Sequence, residues 1–236
     1  MISIIVNLFV PTKIFYLQTL LTLYSLRKIS KRRKIYFIGW VNCEREKLEV
    51  LMRMLFPGCY ILMTKMNWGK SFLINYIRVT QKLEKRVIIM DSDILVNKKI
   101  EHFMNVGDYV IFNQGGKSRH SNIVEYLYPL EKYVEINEKN YKYFGSGLII
   151  MDRELLERYP FVGVYGNDDT YFYINMIINN KKGYYIRDVK VWHNDIPIKN
   201  ELMNKFKMKY KMKEVRRMDK YYIEQIKESH QIMILN

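Results

Sequence analysis

The first half of the chain alternates apolar runs with amphipathic stretches. Ile2 to Val6 is rich in β-branched apolar residues and predicts a first strand. Pro11-Thr12 then opens a helix that runs to about Arg27, since Pro is tolerated in a first turn and Thr can cap. Ile35 to Ile38 predicts a second strand. Glu44 to Leu55 carries Leu48, Leu51, Met52 and Leu55 at helical spacing, and Pro57-Gly58 stops that helix. Cys59 to Met63 is a third strand. The segment from Asn67 through Gly69 and Lys70 enters a helix that runs to about Glu84. Val87 to Met90 is an apolar run that reads as a buried strand, and Asp91-Ser92-Asp93 ends it abruptly. Strand and helix thus alternate three times before Asp91, which predicts a doubly wound α/β sheet.

The second half is less regular. Asp108 to Phe112 predicts a strand and Gln114-Gly115-Gly116 a loop. Ile123 to Val134 reads as a helix kinked at Pro129. Phe144-Gly145-Ser146-Gly147 precedes the strand Leu148 to Met151, and Asp152 caps a helix through Arg158. Gly166-Asn167-Asp168-Asp169 opens a helix with Phe172, Ile174, Met176 and Ile177, and Gly183 ends that region. Tyr184 to Ile186 and Val189 to Trp192 are two short strands, followed directly by His193. The tail differs in kind. Lys205 to Lys213 alternates Lys with Phe, Met and Tyr, and Val215, Met218, Tyr222 and Ile226 mark one helix face. These patterns divide the chain into one main domain at 1–198, with halves at about 1–96 and 97–198, and a basic appendage at 199–236.

The chain has 236 residues, 49% of them hydrophobic, enough for one good-sized core. Its formal charge of +15 favours anionic partners such as nucleotide phosphates or an acidic membrane surface. Cys43 and Cys59 lack metal-ligand spacing, which suits a reduced, cytoplasmic protein, with the basic tail as the candidate contact to an acidic membrane surface. The N-terminal stretch is apolar, but no basic segment precedes it. Asn7, Gln18, Thr19, Thr22 and Ser25 also interrupt it, so strand plus helix is expected rather than a signal anchor. The basic run Ser30 to Lys34 reads as a solvated turn.

Asp91 and Asp93 carry the candidate chemistry. At the carboxyl end of a buried strand, two carboxylates one residue apart repel each other unless a cation lies between them. Oxygen ligands suit Mg or Mn, and a bound divalent cation attracts a diphosphate. The same residues are also ordinary turn formers. Gly69 and Lys70 at a helix start suit a phosphate or a sugar hydroxyl, or form a plain loop. The glycines at 145 and 147 permit a backbone close to a ligand, or a bulge. The acids at 168 and 169 fit capping as well as catalysis. A lone His193 is more often structural than a ligand.

Taken in order, these segments resemble the GT-A glycosyltransferases of the family 2 type over most of residues 1–195. Asn67-x-Gly69-Lys70 with Asn75 is similar to that family's Asn-x-Gly segment, and Met90-Asp91-Ser92-Asp93 to its Asp-x-Asp signature. Phe144-Gly145-Ser146-Gly147 resembles the acceptor-side glycine segment, and Gly166-Asn167-Asp168-Asp169 the Gly-Glu-Asp catalytic segment. Gly183-Tyr184 and His193 resemble the closing Gly-Tyr and His. The chain departs from the pattern in three places. Gly39-Trp40-Val41-Asn42 stands where an acid usually reaches the nucleobase, Asn167 stands where Glu is usual, and the stretch from Asp169 to Gly183 is longer than typical.

The resemblance implies a Rossmann-like mixed sheet. It also implies transfer of a sugar from a nucleotide diphosphate sugar, UDP-sugars foremost, to a glycan hydroxyl, with inversion. It assigns Phe9, Asn67, Lys70, Asp91, Ser92 and Asp93 to the donor. Gly145, Ser146, Gly147, Asn167 and Asp169 fall to the acceptor, and Asp93, Asp91 and His193 to Mn or Mg. Asp168 is the base, with Asp169 as the alternative. Two other accounts remain at this level. One is a metal-dependent phosphoryl-transfer enzyme acting on nucleic acid, which would require further converging acids. The other is a non-catalytic sugar-binding relative.

Overall fold

The computed structural model describes residues 1–29, 32–115, 124, 126–161 and 168–193, with the backbone alone at 115 and 168–170. The first half follows the expected alternation. Strands β1 (Ile2–Val10), β2 (Arg33–Val41), β3 (Tyr60–Thr64) and β4 (Arg86–Asp91) are separated by helices α1 (Lys13–Leu26), α2 (Arg45–Leu55) and α3 (Lys70–Thr80). After β5 (Ile94–Leu95) come a 3₁₀ turn at Lys98–Phe103, β6 (Tyr109–Gly115), β7 (Tyr133–Ile136) and β8 (Leu148–Asp152). Helices α4 (Arg153–Arg158) and α5 (Asp168–Ile178) and strand β9 (Gly183–His193) complete the order.

The strands form one nine-stranded sheet ordered β3-β2-β1-β4-β8-β6-β9-β5, with β7 also paired to β9. Strands β1 to β4 run parallel, so their carboxyl ends share one edge. Strand β8 is antiparallel to β4 and β6, so the sheet is mixed. Its two faces carry separate apolar cores. One, under α1 and α2, contains Ile4, Val6, Leu23, Leu48 and Ile88; the other, under α3 and α5, contains Ile5, Ile74, Ile89, Ile149 and Phe172. The alternation of Ile88 and Ile89 between them is the period-two pattern of a strand buried on both sides. Full burial of such a side chain stabilises by roughly 1.5–3 kcal/mol over leaving it in water.

Several expectations change. Strand β2 begins at Arg33, so the basic run is not a free turn: Lys34 pairs with Glu84 at 2.7 Å, while Ser30 and Lys31 lie outside the described residues. Helix α3 ends at Thr80 rather than near Glu84, because the chain must turn into β4 and Ser3 Oγ accepts the Glu84 N–H at 2.8 Å. Gln114 and Gly115 belong to β6, where they pair with Val191 and Trp192 of β9 instead of forming a loop. Val124, Tyr126 and Leu127 are helical, but Tyr133 and Val134 form a strand on β9. The two short strands after Gly183 are one, because β6 runs beside both and absorbs the irregularity with a register shift after Phe112. Thr12 and Asp152 stand at N-caps but make no side-chain cap bond; Asp152 instead lies 3.3 Å from Arg86. Among the described residues no helix is long and apolar enough to cross a membrane. The appendage predicted at 199–236 lies outside the described residues, as does Asn167.

Candidate active site

The turn from Asp91 to Asp93 sits at the carboxyl edge of the parallel strands, and neighbouring elements hold it. The Asp91 N–H donates to Gly147 O at 2.9 Å and the Ser92 N–H to Asn7 O at 3.0 Å. Ser92 is buried, and its hydroxyl accepts the Phe9 N–H at 3.2 Å. Helix α1 supplies the rest. Thr22 Oγ1 donates to Ser92 O at 2.8 Å, and Ser25 Oγ accepts the Val96 N–H at 2.9 Å. Buried polar groups need such partners, because an unmet one costs roughly 1–3 kcal/mol. The polar positions that interrupt the apolar N-terminal helix therefore face inward, and two of them, Thr22 and Ser25, hold the carboxylate turn and the strand after it.

The two carboxylates have different company. Lys70 opens α3, and its Nζ lies 3.1 and 3.3 Å from the two Asp91 carboxylate oxygens. The same ammonium reaches Ser146 O at 3.2 Å and Ser146 Oγ at 3.3 Å. Asn7 Nδ2 donates to Asp91 Oδ1 at 3.4 Å. Asp93 meets His193 Nε2 at 3.4 Å. That approach follows from β5 pairing with β9, which sets Ile94 opposite His193. Asp91, Asp93 and His193 thus do not gather as one three-ligand set. Among the described residues no group of three His, Cys, Asp or Glu side chains converges.

The glycine segment forms the adjoining wall. Gly145 O accepts from Gln114 Nε2 at 3.1 Å and from Tyr173 Oη at 3.2 Å. A Cβ on Gly147 would lie 2.9 Å from Gln114 Nε2 and 3.0 Å from Ile94 Cδ1, so a larger residue there would displace the Gln114 amide from Gly145 O. Ser146 is buried, with its hydroxyl turned to Lys70. Through Tyr173 the helix α5 leans on this wall. Asp168 and Asp169 begin that helix, five and four residues or about 7.5 and 6 Å along its axis before Tyr173.

The remaining predicted donor-side residues are fixed by local contacts. Asn67 Oδ1 accepts the Gly69 N–H at 3.1 Å, an Asx turn, and Gly69 has the left-handed φ of 81° that lets the chain enter α3. Trp68 is exposed and stacks on Phe72 with centroids 5.1 Å apart. Phe9 packs edge-on against Phe15 and Trp40, both at 5.4 Å. Gly39 and Trp40 have packing reasons. A Cβ on Gly39 would fall 2.0 Å from Leu8 O, and the buried Trp40 donates its indole N–H to Lys65 O at 3.1 Å.

Sequence reasoning missed Asn7, Thr22, Ser25, Gln114 and Tyr173. For the α1 residues a signal was present: Gln18, Thr22 and Ser25 recur at i, i+4 and i+7, on one helix face.

The donor set available to a cation is the Asp93 carboxylate with the His193 imidazole, an oxygen–nitrogen pair that suits Mn better than Mg, which prefers oxygen alone. Two protein ligands fit an ion that completes its shell with water and phosphate oxygens.

No family model matches the chain, and no curated protein does. Solved structures do. TarS 1-349 of S. aureus is 16% identical with a TM-score of 0.62, over 80% of this chain and 59% of that one. The mannosyltransferase PcManGT of Pyrobaculum calidifontis, in complex with GDP-Man and Mn2+, is 14% identical with a TM-score of 0.62, over 83% of this chain and 57% of that one. GalNAc-T7, with UDP, GalNAc and Mn2+, is 13% identical with a TM-score of 0.58, over 81% and 43%. This chain spans less than two thirds of the length of each. With this strand order, and with these likenesses, the chain has the GT-A fold of the glycosyltransferases it superposes on.

Proposed function

We propose that the protein is a glycosyltransferase that moves a sugar from a nucleotide diphosphate sugar to an acceptor hydroxyl. The observation that carries this reading is the meeting of Asp93 and His193. These residues are 100 positions apart, yet lie 3.4 Å from each other at the carboxyl edge of a GT-A sheet. The nucleotide sugars and Mn2+ bound by the structural neighbours support a donor of that class, UDP-sugars foremost, and a divalent cation.

In this reading Asp93 and His193 hold Mn or Mg, and Asp91 flanks them on the donor side. A cation there supplies Lewis-acid neutralisation of the leaving diphosphate. The Lys70 ammonium, held by Asp91 and Ser146, adds a second positive charge beside the same phosphates. Phe9 and the Asn67 turn border the nucleoside end. The backbone of Gly145 to Gly147, kept flat by Gln114 and Tyr173, borders the acceptor. At the start of α5, Asp168 takes the proton of the acceptor hydroxyl, and Asp169 is the alternative base. The helix dipole there keeps a carboxylate ionised. Attack on the face opposite the diphosphate inverts the anomeric centre.

Release of nucleoside diphosphate from a panel of nucleotide sugars, with and without Mn, tests the reading. Asp93→Ala is expected to lower turnover about a hundredfold or more. Asp168→Asn is expected to lower it by about 10²–10⁴ with donor affinity retained. Cleavage of nucleic acid with no donor turnover would replace this reading with phosphoryl transfer. Binding of a nucleotide sugar without turnover would leave a sugar-binding protein.

A further inference from the structure

Helix α1 is built inside out. Its buried side contains Gln18, Thr19, Thr22 and Ser25 beside Phe15, Leu23 and Leu26. Its outer side is apolar: Leu17 and Leu21 are each 51% exposed and Tyr24 is 53% exposed. At about 100° per residue, Lys13, Leu17, Leu20, Leu21 and Tyr24 fall within one arc of about 100°. The inward polar groups are engaged with the carboxylate turn and with the helix itself. Nothing in the described residues covers the outward leucines. A helix that is apolar on both sides ordinarily has a partner on both.

The neighbouring helix extends the patch. Val50 is 58% and Met54 72% exposed on α2. Between the two helices lies a groove of about 440 Å³ lined by Tyr16, Glu46, Lys47, Val50, Leu51 and Met54. The charges around it are mostly positive. Exposed Lys13 stands at one end of α1, with Arg27 and Lys28 just past the other, and α1 has no carboxylate. On α2, Glu44 pairs with Lys47 at 2.7 Å and Glu49 with Arg53 at 2.8 Å, which leaves Glu46 as the acid in the groove.

We propose that the α1–α2 face docks the protein on an anionic lipid bilayer. Leu17, Leu21, Tyr24, Val50 and Met54 enter the headgroup boundary, and Lys13, Arg27 and Lys28 meet the lipid phosphates. An apolar strip bounded by cations is the pattern of an interfacial helix. The charge of the partner decides between occupants. Residues 194–236 carry more Lys and Arg than Asp and Glu, as does the whole chain at +15. Neither that segment nor a second copy complements a basic rim, whereas acidic headgroups do. The inference does not depend on the proposed transferase activity.

Flotation of the full chain with vesicles tests it. The protein is expected to float with vesicles containing about a third phosphatidylglycerol, to float far less with pure phosphatidylcholine, and to be released by salt. Leu17→Gln with Leu21→Gln is expected to weaken partitioning roughly tenfold or more. Lys13→Gln and Lys28→Gln are each expected to weaken it roughly fivefold. Both sets should leave the melting temperature unchanged without lipid, as for exposed positions. A Leu17→Trp variant should shift its emission to the blue on anionic vesicles alone. Four results would overturn the proposal: wild type that does not float, and variants that float like wild type through Lys205 to Lys213 or another segment. The others are leucine variants that melt lower without lipid, showing a cover from the chain itself, and a dimer that those variants split.

Discussion

Strands β1 to β4 are parallel and lie side by side in the order β3-β2-β1-β4, whereas β8, β6, β9, β7 and β5 mix directions and pair across long stretches of chain. Both halves contain a glycine that another group has come to occupy. In the parallel half the occupant is backbone: a Cβ on Gly39 would stand 2.0 Å from Leu8 O, and its φ is +155°. In the mixed half it is a ring: a Cβ on Gly183 would stand 1.9 Å from Tyr109 Cζ. Tyr109 is itself fully buried between Phe172 and Tyr173. Burial pushes its phenol pKa well above the usual tyrosine range, so the ring stays neutral. Main chain thus limits Gly39 and a ring limits Gly183, and only the ring can give way by a rotation.

Gly39→Ala is the severest test of that difference. The Leu8 backbone and an unfavourable φ leave it nowhere to go, and urea unfolding is expected to show a loss of at least about 3 kcal/mol. Gly183→Ala is expected to cost about 2 kcal/mol, because the Tyr109 ring can tilt. A larger loss at Gly183 than at Gly39 would reverse the comparison. Next comes Thr22→Val, which keeps the shape and leaves Ser92 O without its 2.8 Å donor. It is expected to cost about 1–2 kcal/mol in stability and to lower donor turnover roughly tenfold, since the Asp91–Asp93 turn loses an anchor. The smallest effect belongs to Glu49→Gln, which breaks an exposed pair with Arg53 and should move stability by less than about 0.5 kcal/mol. If Glu49→Gln matched Thr22→Val, the buried bonds of α1 would have no special weight.

The same contrast governs what could be read from the chain. Strands β1, β2, β4 and β8 are apolar runs between turn residues, and a local pattern was enough to find them. Strand β7 was read as the end of a helix. Tyr133 to Ile136 alternates exposed and buried positions, but its partner Gly183 to Ile186 lies some fifty residues away. Gln114 and Gly115 read as a loop for the same reason: their partners are Val191 and Trp192. At the site, Asp91 and Asp93 stood out as charges that end an apolar run. The attachment of Asp91 to Lys70 did not stand out, because nothing in the spacing shows which carboxylate an ammonium twenty-one positions earlier will meet.

Residue order alone therefore settled the alternation of strand and helix, the position of the carboxylate turn and the burial of the strands on both faces. Each depends on neighbours within one element, where hydrophobic period and turn chemistry act. Tertiary structure decided which groups meet across the sheet: His193 with Asp93, Lys70 with Asp91, Thr22 with Ser92, and a polar helix face turned inward while leucines face out. Those meetings depend on strand order and register, which arise when distant segments pack, and no local pattern contains them.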